Sequence, residues 1–281
     1  RELLDTAEEI RIRQNKPIVI RKDCENFFMK NGEVCCMKDA FKPHKDEIQD
    51  TLSRMCEYSP YAYSDEIRRG FITIEGGFRV GIAGTAVECK DGISTIKYIN
   101  SLNIRISREL TGCADKVMKY VYGNTLIISP PGCGKTTILR DIIRQISNQG
   151  INISVVDERC EISGMYLGNI QFDLGICTDV LCCYSKSIGM NMMLRSMGPK
   201  IIAVDEIGSD EDILAIHNLL NSGVKIIATI HCDTIENILQ KPFIENIVKE
   251  KIFDSYIILN NNKKTGDLYK IYDKELNIVW Q

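Results

Sequence analysis

The stretch Ser129-Pro130-Pro131-Gly132-Cys133-Gly134-Lys135-Thr136 constrains this chain more than any other. It follows the apolar run Thr125-Leu126-Ile127-Ile128 and opens a helical pattern, Thr137-Ile138-Leu139-Arg140-Asp141-Ile142-Ile143. A strand, a glycine-rich turn and a helix in that order form a loop whose successive backbone N–H groups converge on phosphate oxygens at a helix N-terminus. In such a loop Pro131, Gly132, Cys133, Gly134 and Thr137 shape the cradle. Lys135 reaches the β- and γ-phosphates of a nucleoside triphosphate such as ATP, and the Thr136 hydroxyl ligates Mg²⁺. The strict pattern asks for glycine at position 129, where this chain has serine, a small residue at the end of the strand. Cys133 lies inside the loop, so its alkylation is expected to block nucleotide and nucleotide to protect it.

Composition narrows the field further. The 281 residues suffice for two modest domains, and 44% hydrophobic with 26% charged residues is a globular balance. The formal net charge is −3, so no global basic field favours nucleic acid. No apolar run approaches the roughly 18 residues of a membrane span, and the N-terminus does not read as a secretory signal. The expected location is cytoplasmic. Twelve cysteines are many, but they lack paired C-x-x-C spacing and only three histidines accompany them. Reduced, mostly buried thiols are therefore expected rather than a zinc or disulfide framework.

Two patterns succeed one another along the chain. Before residue 112, Ile18-Val19-Ile20 reads as a strand and His44 to Glu57 as a helix with Ile48, Leu52 and Met55 on one face. Phe71–Ile74 and Phe78–Ile82 read as a hairpin about Gly76-Gly77, and Ile104–Ile106 as a further strand. From Gly123 onward, strands at 126–128, 153–156, 201–204, 226–230 and 256–259 alternate with helices, the pattern of a mostly parallel sheet. The expected architecture is α/β: a smaller α+β domain over 1–118, then a RecA-like P-loop NTPase domain over 119–281.

Three strand ends carry chemistry. Ile201-Ile202-Ala203-Val204 runs into Asp205-Glu206, and ligands of an α/β sheet bind beyond the carboxyl ends of its strands. Asp205 suits the Mg²⁺ shell and Glu206 suits polarising an attacking water. Ile153-Ser154-Val155-Val156 ends likewise in Asp157-Glu158-Arg159. A strand inserted there between the P-loop and the second carboxylate strand is a RecA-like feature. Asp157 and Glu158 either order metal-bound water or pair with Arg159. His231 ends the run Ile226–Ile230 on the same edge, where it can contact a γ-phosphate.

The order of P-loop, Asp157-Glu158-Arg159, Leu194-Arg195-Ser196-Met197-Gly198-Pro199, Asp205-Glu206-Ile207-Gly208 and Ala228-Thr229-Ile230-His231 resembles the type II and type IV secretion ATPases. A closer set resembles the stage III sporulation protein AA family of endospore-forming bacteria: Gly76-Gly77-Phe78-Arg79-Val80-Gly81, Ser101-Leu102-Asn103-Ile104-Arg105-Ile106, Asp157-Glu158-Arg159-Cys160-Glu161-Ile162 and Thr178-Asp179-Val180-Leu181. The likeness spans nearly the whole chain. It implies an ATPase that forms a ring, a hexamer by that analogy, and powers a channel between mother cell and forespore. It also implies a peripheral place on that mother-cell membrane complex, with the membrane proteins of the stage III sporulation operon as partners. By the same resemblance, Arg79 and Arg105 of the N-terminal domain contact nucleotide in their own or a neighbouring subunit, with Arg108 and Arg159 as further candidates. Ser255 stands where the resemblance implies arginine, and Cys232 where it implies glycine. Two other functions fit a RecA-like core: a nucleic-acid motor, disfavoured by the neutral charge and the lack of aromatic-plus-basic clusters, and a nucleotide-ordered scaffold with little hydrolysis.

Overall fold

The computed structural model describes residues 3, 6–23, 25–89, 92–239, 242–260 and 268–280. The chain divides into two compact units, residues 1–108 with 164–171, and residues 109–163 with 172–281.

In the first unit, charged and apolar residues alternate along short strands, which leaves one face of a sheet to be covered. The strands are β1 (Glu9–Arg13), β2 (Val19–Lys22), β3 (Glu25–Lys30), β4 (Glu33–Cys35), β5 (Phe71–Ile74), β6 (Phe78–Cys89) and β7 (Gly92–Arg105). They pair antiparallel throughout, in the order β4-β3-β2-β1-β7-β6-β5. Helices α1 (Lys45–Met55) and α2 (Ser64–Arg68) lay Ile48, Leu52 and Ile67 against Ile72, Val80 and Leu102. The predicted hairpin, helix and strands at 18–20 and 104–106 are all present. The β6–β7 ribbon runs well past Ile82 because its outer half is exposed and needs no apolar alternation. The segment 164–171 is held to this unit by Tyr166, whose hydroxyl donates to Glu57 and lies 3.3 Å from that of Tyr63. Gln171 Oε1 also accepts from the Gly76 N–H at 2.9 Å.

The second unit is built on uninterrupted aliphatic runs, the mark of strands buried on both faces. Its strands are β8 (Thr125–Ser129), β9 (Ile153–Asp157), β10 (Thr178–Cys182), β11 (Ile201–Val204), β12 (Lys225–His231), β13 (Ser255–Leu259), β14 (Leu268–Asp273) and β15 (Ile278–Trp280). The sheet order is β10-β9-β11-β12-β8-β13-β14-β15, parallel from β10 to β13, with β14 and β15 antiparallel. All five strands expected here exist. β10, β14 and β15 are additions.

Alternate residues of β8 enter different cores. Leu126 and Ile128 pack with Met190, Ile216, Ile247 and Phe253, which come from helices α4 (Lys186–Met197), α5 (Asp210–Asn221), α6 (Pro242–Lys249) and the turn before β13. Ile127 packs with Ile138, Leu139, Ile142 and Ile143 of helix α3 (Lys135–Ser147). Gly189 permits the close approach of α4, since a Cβ there would stand 2.6 Å from Val156 Cγ1. Helix α5 begins at Ser209, whose Oγ accepts from Asp212 N at 3.2 Å in a capping box, and this fixes the chain just beyond Glu206. Ser255 is buried, its hydroxyl 3.1 Å from that of Thr125. Among the described residues no helix is long and apolar enough to cross a membrane.

Candidate functional site

Strand register lines up the site. Val156 is level with Val204, Val204 with Ala228, and His231 with Ser129, so the carboxyl ends of β9, β11, β12 and β8 open on one edge. β8 lies between β12 and β13 although β9 follows it in the chain, so the order of strand connection reverses there, where open α/β sheets bind ligands.

The glycine-rich loop leaves β8 at buried Ser129 and enters α3 through Gly134, the N-cap, at φ 89°. A side chain would strain that left-handed backbone. Pro131 and Gly132 are exposed, whereas Cys133 is 5% and Lys135 5% accessible. The Cys133 thiol is therefore shielded, so alkylation at this position will be slow rather than facile. Burial pulls the Lys135 ammonium below its ordinary value, against the opposing pull of Asp205 and Glu206.

Two chains of contacts meet at the strand ends. In the first, Thr136 Oγ1 donates to Asp205 Oδ2 at 2.6 Å, while Thr229 Oγ1 donates to Asp205 Oδ1 and accepts from the Glu206 N–H at 2.8 Å. In the second, Lys135 Nζ lies 2.8 Å from His231 Nδ1, and His231 Nε2 lies 2.6 Å from Glu206 Oε1. Arg159 completes that chain by donating to Glu206 Oε2 at 2.7 Å. An ammonium only donates, so this network assigns Nδ1 as acceptor and places the imidazole proton on Nε2, toward Glu206. Burial pushes the Glu206 carboxyl up, but the His231 hydrogen bond and the charges of Arg159 and Lys135 outweigh it and hold the group below its ordinary value.

The second acidic strand end is organised differently. Asp157, 1% accessible, accepts from the N–H groups of Glu161, Ile162 and Ser163 and from Ser163 Oγ. Its carboxylate ties the following turn in place. Arg140 braces the same turn from α3, donating to the carbonyls of Ile162 at 2.9 Å and Glu161 at 2.8 Å. Glu158 pairs with Lys186 at 2.7 Å, and Arg159 with Glu206 rather than with its acidic neighbours. Together Asp157, Glu158, Arg159, Lys186, Asp205 and Glu206 line one cavity, completed by Glu161.

The structure thus brings Lys135, Thr136, Asp205, Glu206 and His231 within one network of contacts. It adds Thr229 and Lys186, and it pairs Arg159 with Glu206. Thr229 had a signal, a hydroxyl in an otherwise aliphatic strand two residues before His231. Arg79 and Arg105 lie in the first unit, paired across β6 and β7, with the Arg79 guanidinium 3.9 Å from the Phe71 ring centroid. Two expectations about the cysteines fail: Cys160 and Cys182 form a disulfide, and of the nine free cysteines described only Cys56 and Cys133 are buried. Cys160 and Cys182 are 22 residues apart in sequence, and only the pairing of β10 with β9, which sets Cys182 level with Asp157, brings them together.

Chemically, the hydroxyl of Thr136 beside the Asp205 carboxylate is a hard oxygen set that fits Mg²⁺. The N-terminus of α3 with Lys135 fits a polyphosphate. Glu206, oriented by a histidine and an arginine, is placed to take a proton.

Known proteins bear on this geometry. The chain is 36% identical to the stage III sporulation protein AA of Bacillus subtilis over 97% of its own length and 88% of that protein. It is 29% identical, over 59% of its length, to 52% of an uncharacterised protein, ycf45, of Cyanidium caldarium. Among solved structures, the ATPase DotB of Legionella pneumophila superposes with a TM-score of 0.61 at 13% identity, covering 96% of this chain and 79% of that one. The pilus retraction motor PilT with bound ADP superposes with a TM-score of 0.59 at 17% identity, covering 92% and 75%. These identities establish the fold alone, that of RecA-like secretion ATPases. The family model described as sporulation stage III, protein AA, matches residues 2–279, and the chain belongs to that family.

Proposed function

We propose that this chain is an ATP-hydrolysing subunit of a sporulation-associated, secretion-like assembly and works as a ring of identical copies. The observation that carries the proposal is the pair of contact chains that join Lys135 and Thr136 of the glycine-rich loop to Asp205, Glu206 and His231. Pro131, Gly132, Cys133, Gly134 and Thr137 would frame the triphosphate, with backbone N–H groups and Lys135 offsetting its charge. Thr136 and Asp205 would hold Mg²⁺, which when bound neutralises charge between the β- and γ-phosphates.

Glu206 then accepts a proton from the attacking water. His231 links that carboxylate to Lys135, so entry of a phosphate beside Lys135 would release the imidazole and alter the base. Arg159 holds the other oxygen of Glu206, Glu158 with Lys186 lines the cavity, and Asp157 acts as a positioning residue for the turn that carries them. Arg79 and Arg105 would supply guanidinium groups to the transferring phosphoryl from the same or a neighbouring copy. The proposed setting is the cytoplasmic side of a mother-cell membrane complex, with sporulation membrane proteins as partners.

Equilibrium binding of ATP with Mg²⁺ tests the site. Lys135→Ala should weaken affinity more than about tenfold, the scale of one lost charge-assisted contact set. Unchanged affinity in a folded variant would remove the site from consideration.

A further inference from the structure

Three sulfurs gather beside the Asp157 turn without any part in the proposed chemistry. The Sγ atoms of Cys160, Cys182 and Cys183 all lie within 4.8 Å of one another. Cys160 lies in the turn that Asp157 caps, and Cys182 and Cys183 lie at the end of β10, so two segments joined by strand pairing contribute. Cys160 is buried and the other two are half-buried, which shields the cluster while leaving a way in.

We propose that these three cysteines, when reduced, form a thiolate site for a thiophilic d¹⁰ cation of the zinc class, and that the Cys160–Cys182 disulfide is its oxidised, metal-free form. Tetrahedral ligation with Zn–S bonds of about 2.3 Å requires sulfurs about 3.8 Å apart. Cys182 and Cys183 Sγ already stand 3.8 Å apart, and Cys183 Sγ is 2.9 Å from Cys160 Sγ. Only the Cys160 sulfur has to draw back, and cleavage of the disulfide frees it to do so. A dithiol reductant supplies two electrons and two protons, is itself oxidised to a disulfide, and leaves thiols on Cys160 and Cys182. The three thiols lose their protons as the ion binds. Three protein ligands leave the fourth position to water or a small thiol.

The site has a structural consequence. Cys160 is preceded by Arg159, which holds Glu206, and followed by Glu161, whose N–H caps Asp157. A bound ion would fasten that turn to the end of β10 whether or not nucleotide is present.

The test is zinc uptake by the reduced full chain, freed of reductant, measured by competition with a chromophoric chelator. Co²⁺ substitution adds a thiolate-to-metal absorption band as an independent readout. Reduced wild type should bind one equivalent more than the Cys160→Ser/Cys182→Ser/Cys183→Ser variant. Cys35→Ser/Cys36→Ser, which removes the other adjacent pair, should keep that equivalent, and disulfide-oxidised wild type should lose it. Equal uptake by reduced wild type and the triple variant overturns the proposal. If the triple variant fails to fold, Cys183→Ser, which leaves the disulfide partners intact, decides. Affinity weakened by more than about tenfold, with a diminished cobalt band, supports the site. Unchanged affinity and band overturn it.

Discussion

Glu206 adopts φ 54°, a left-handed backbone for a residue that carries a side chain, and such a conformation costs about 1–3 kcal/mol. The surroundings that impose it are visible. Thr229 Oγ1 receives the Glu206 N–H, while His231 and Arg159 take its two carboxylate oxygens. Thr229→Val preserves shape but leaves the part-buried Glu206 N–H without its acceptor and removes the donor to Asp205 Oδ1, leaving Asp205 only that of Thr136. It should cost about 1–3 kcal/mol in denaturant unfolding and weaken Mg²⁺-dependent nucleotide binding, and wild-type values for both would contradict the role given to Thr229. Lys135 and Thr136 were legible from the spacing of the glycine-rich loop, and Asp205, Glu206 and His231 because each falls where an apolar run stops. Thr229 was hidden because a β-branched residue in a strand already satisfies sheet packing. The Arg159–Glu206 pair was hidden because it exists only once β9 and β11 are neighbours.

At the scale of elements, the parallel strands announced themselves as short continuous aliphatic runs, and the helices as the amphipathic stretches between them. β10 did not, because an edge strand carrying Thr178, Asp179 and Cys182 lacks such a run. That single omission also concealed the disulfide, since β10 carries Cys182 to Cys160. β1 escaped because Arg11 separates its two isoleucines, and β3 and β4 because they hold runs of only three and two apolar residues, too short to mark a strand. Packing between α4 and β9 gives a direct test of the layer arrangement. Gly189→Ala would place a Cβ 2.6 Å from Val156 Cγ1, so overpacking should lower stability by about 1–3 kcal/mol and reduce Tm. A melting temperature equal to wild type would mean that α4 does not lie as close to the sheet as described.

At the scale of the whole molecule, the family and the secretion-ATPase fold together account for a chain of two units, one carrying the glycine-rich loop and one carrying an arginine-bearing antiparallel sheet. In the proposed motor, differential affinity for ATP and ADP is what moves one arrangement of units to another. Arg105→Ala should then retain nucleotide affinity and lose turnover by about 10³-fold or more, as removal of an arginine finger does. Wild-type turnover in that variant would leave Arg105 a structural residue of its sheet. The most direct test of the central claim is phosphate release by the purified chain and its Glu206→Gln variant, with mass measured in the same samples with and without ATP and Mg²⁺. Turnover lower by about 10²-fold or more in the variant, together with nucleotide-dependent assembly of both proteins, is the predicted result. Wild-type phosphate release no faster than that of the variant would contradict it.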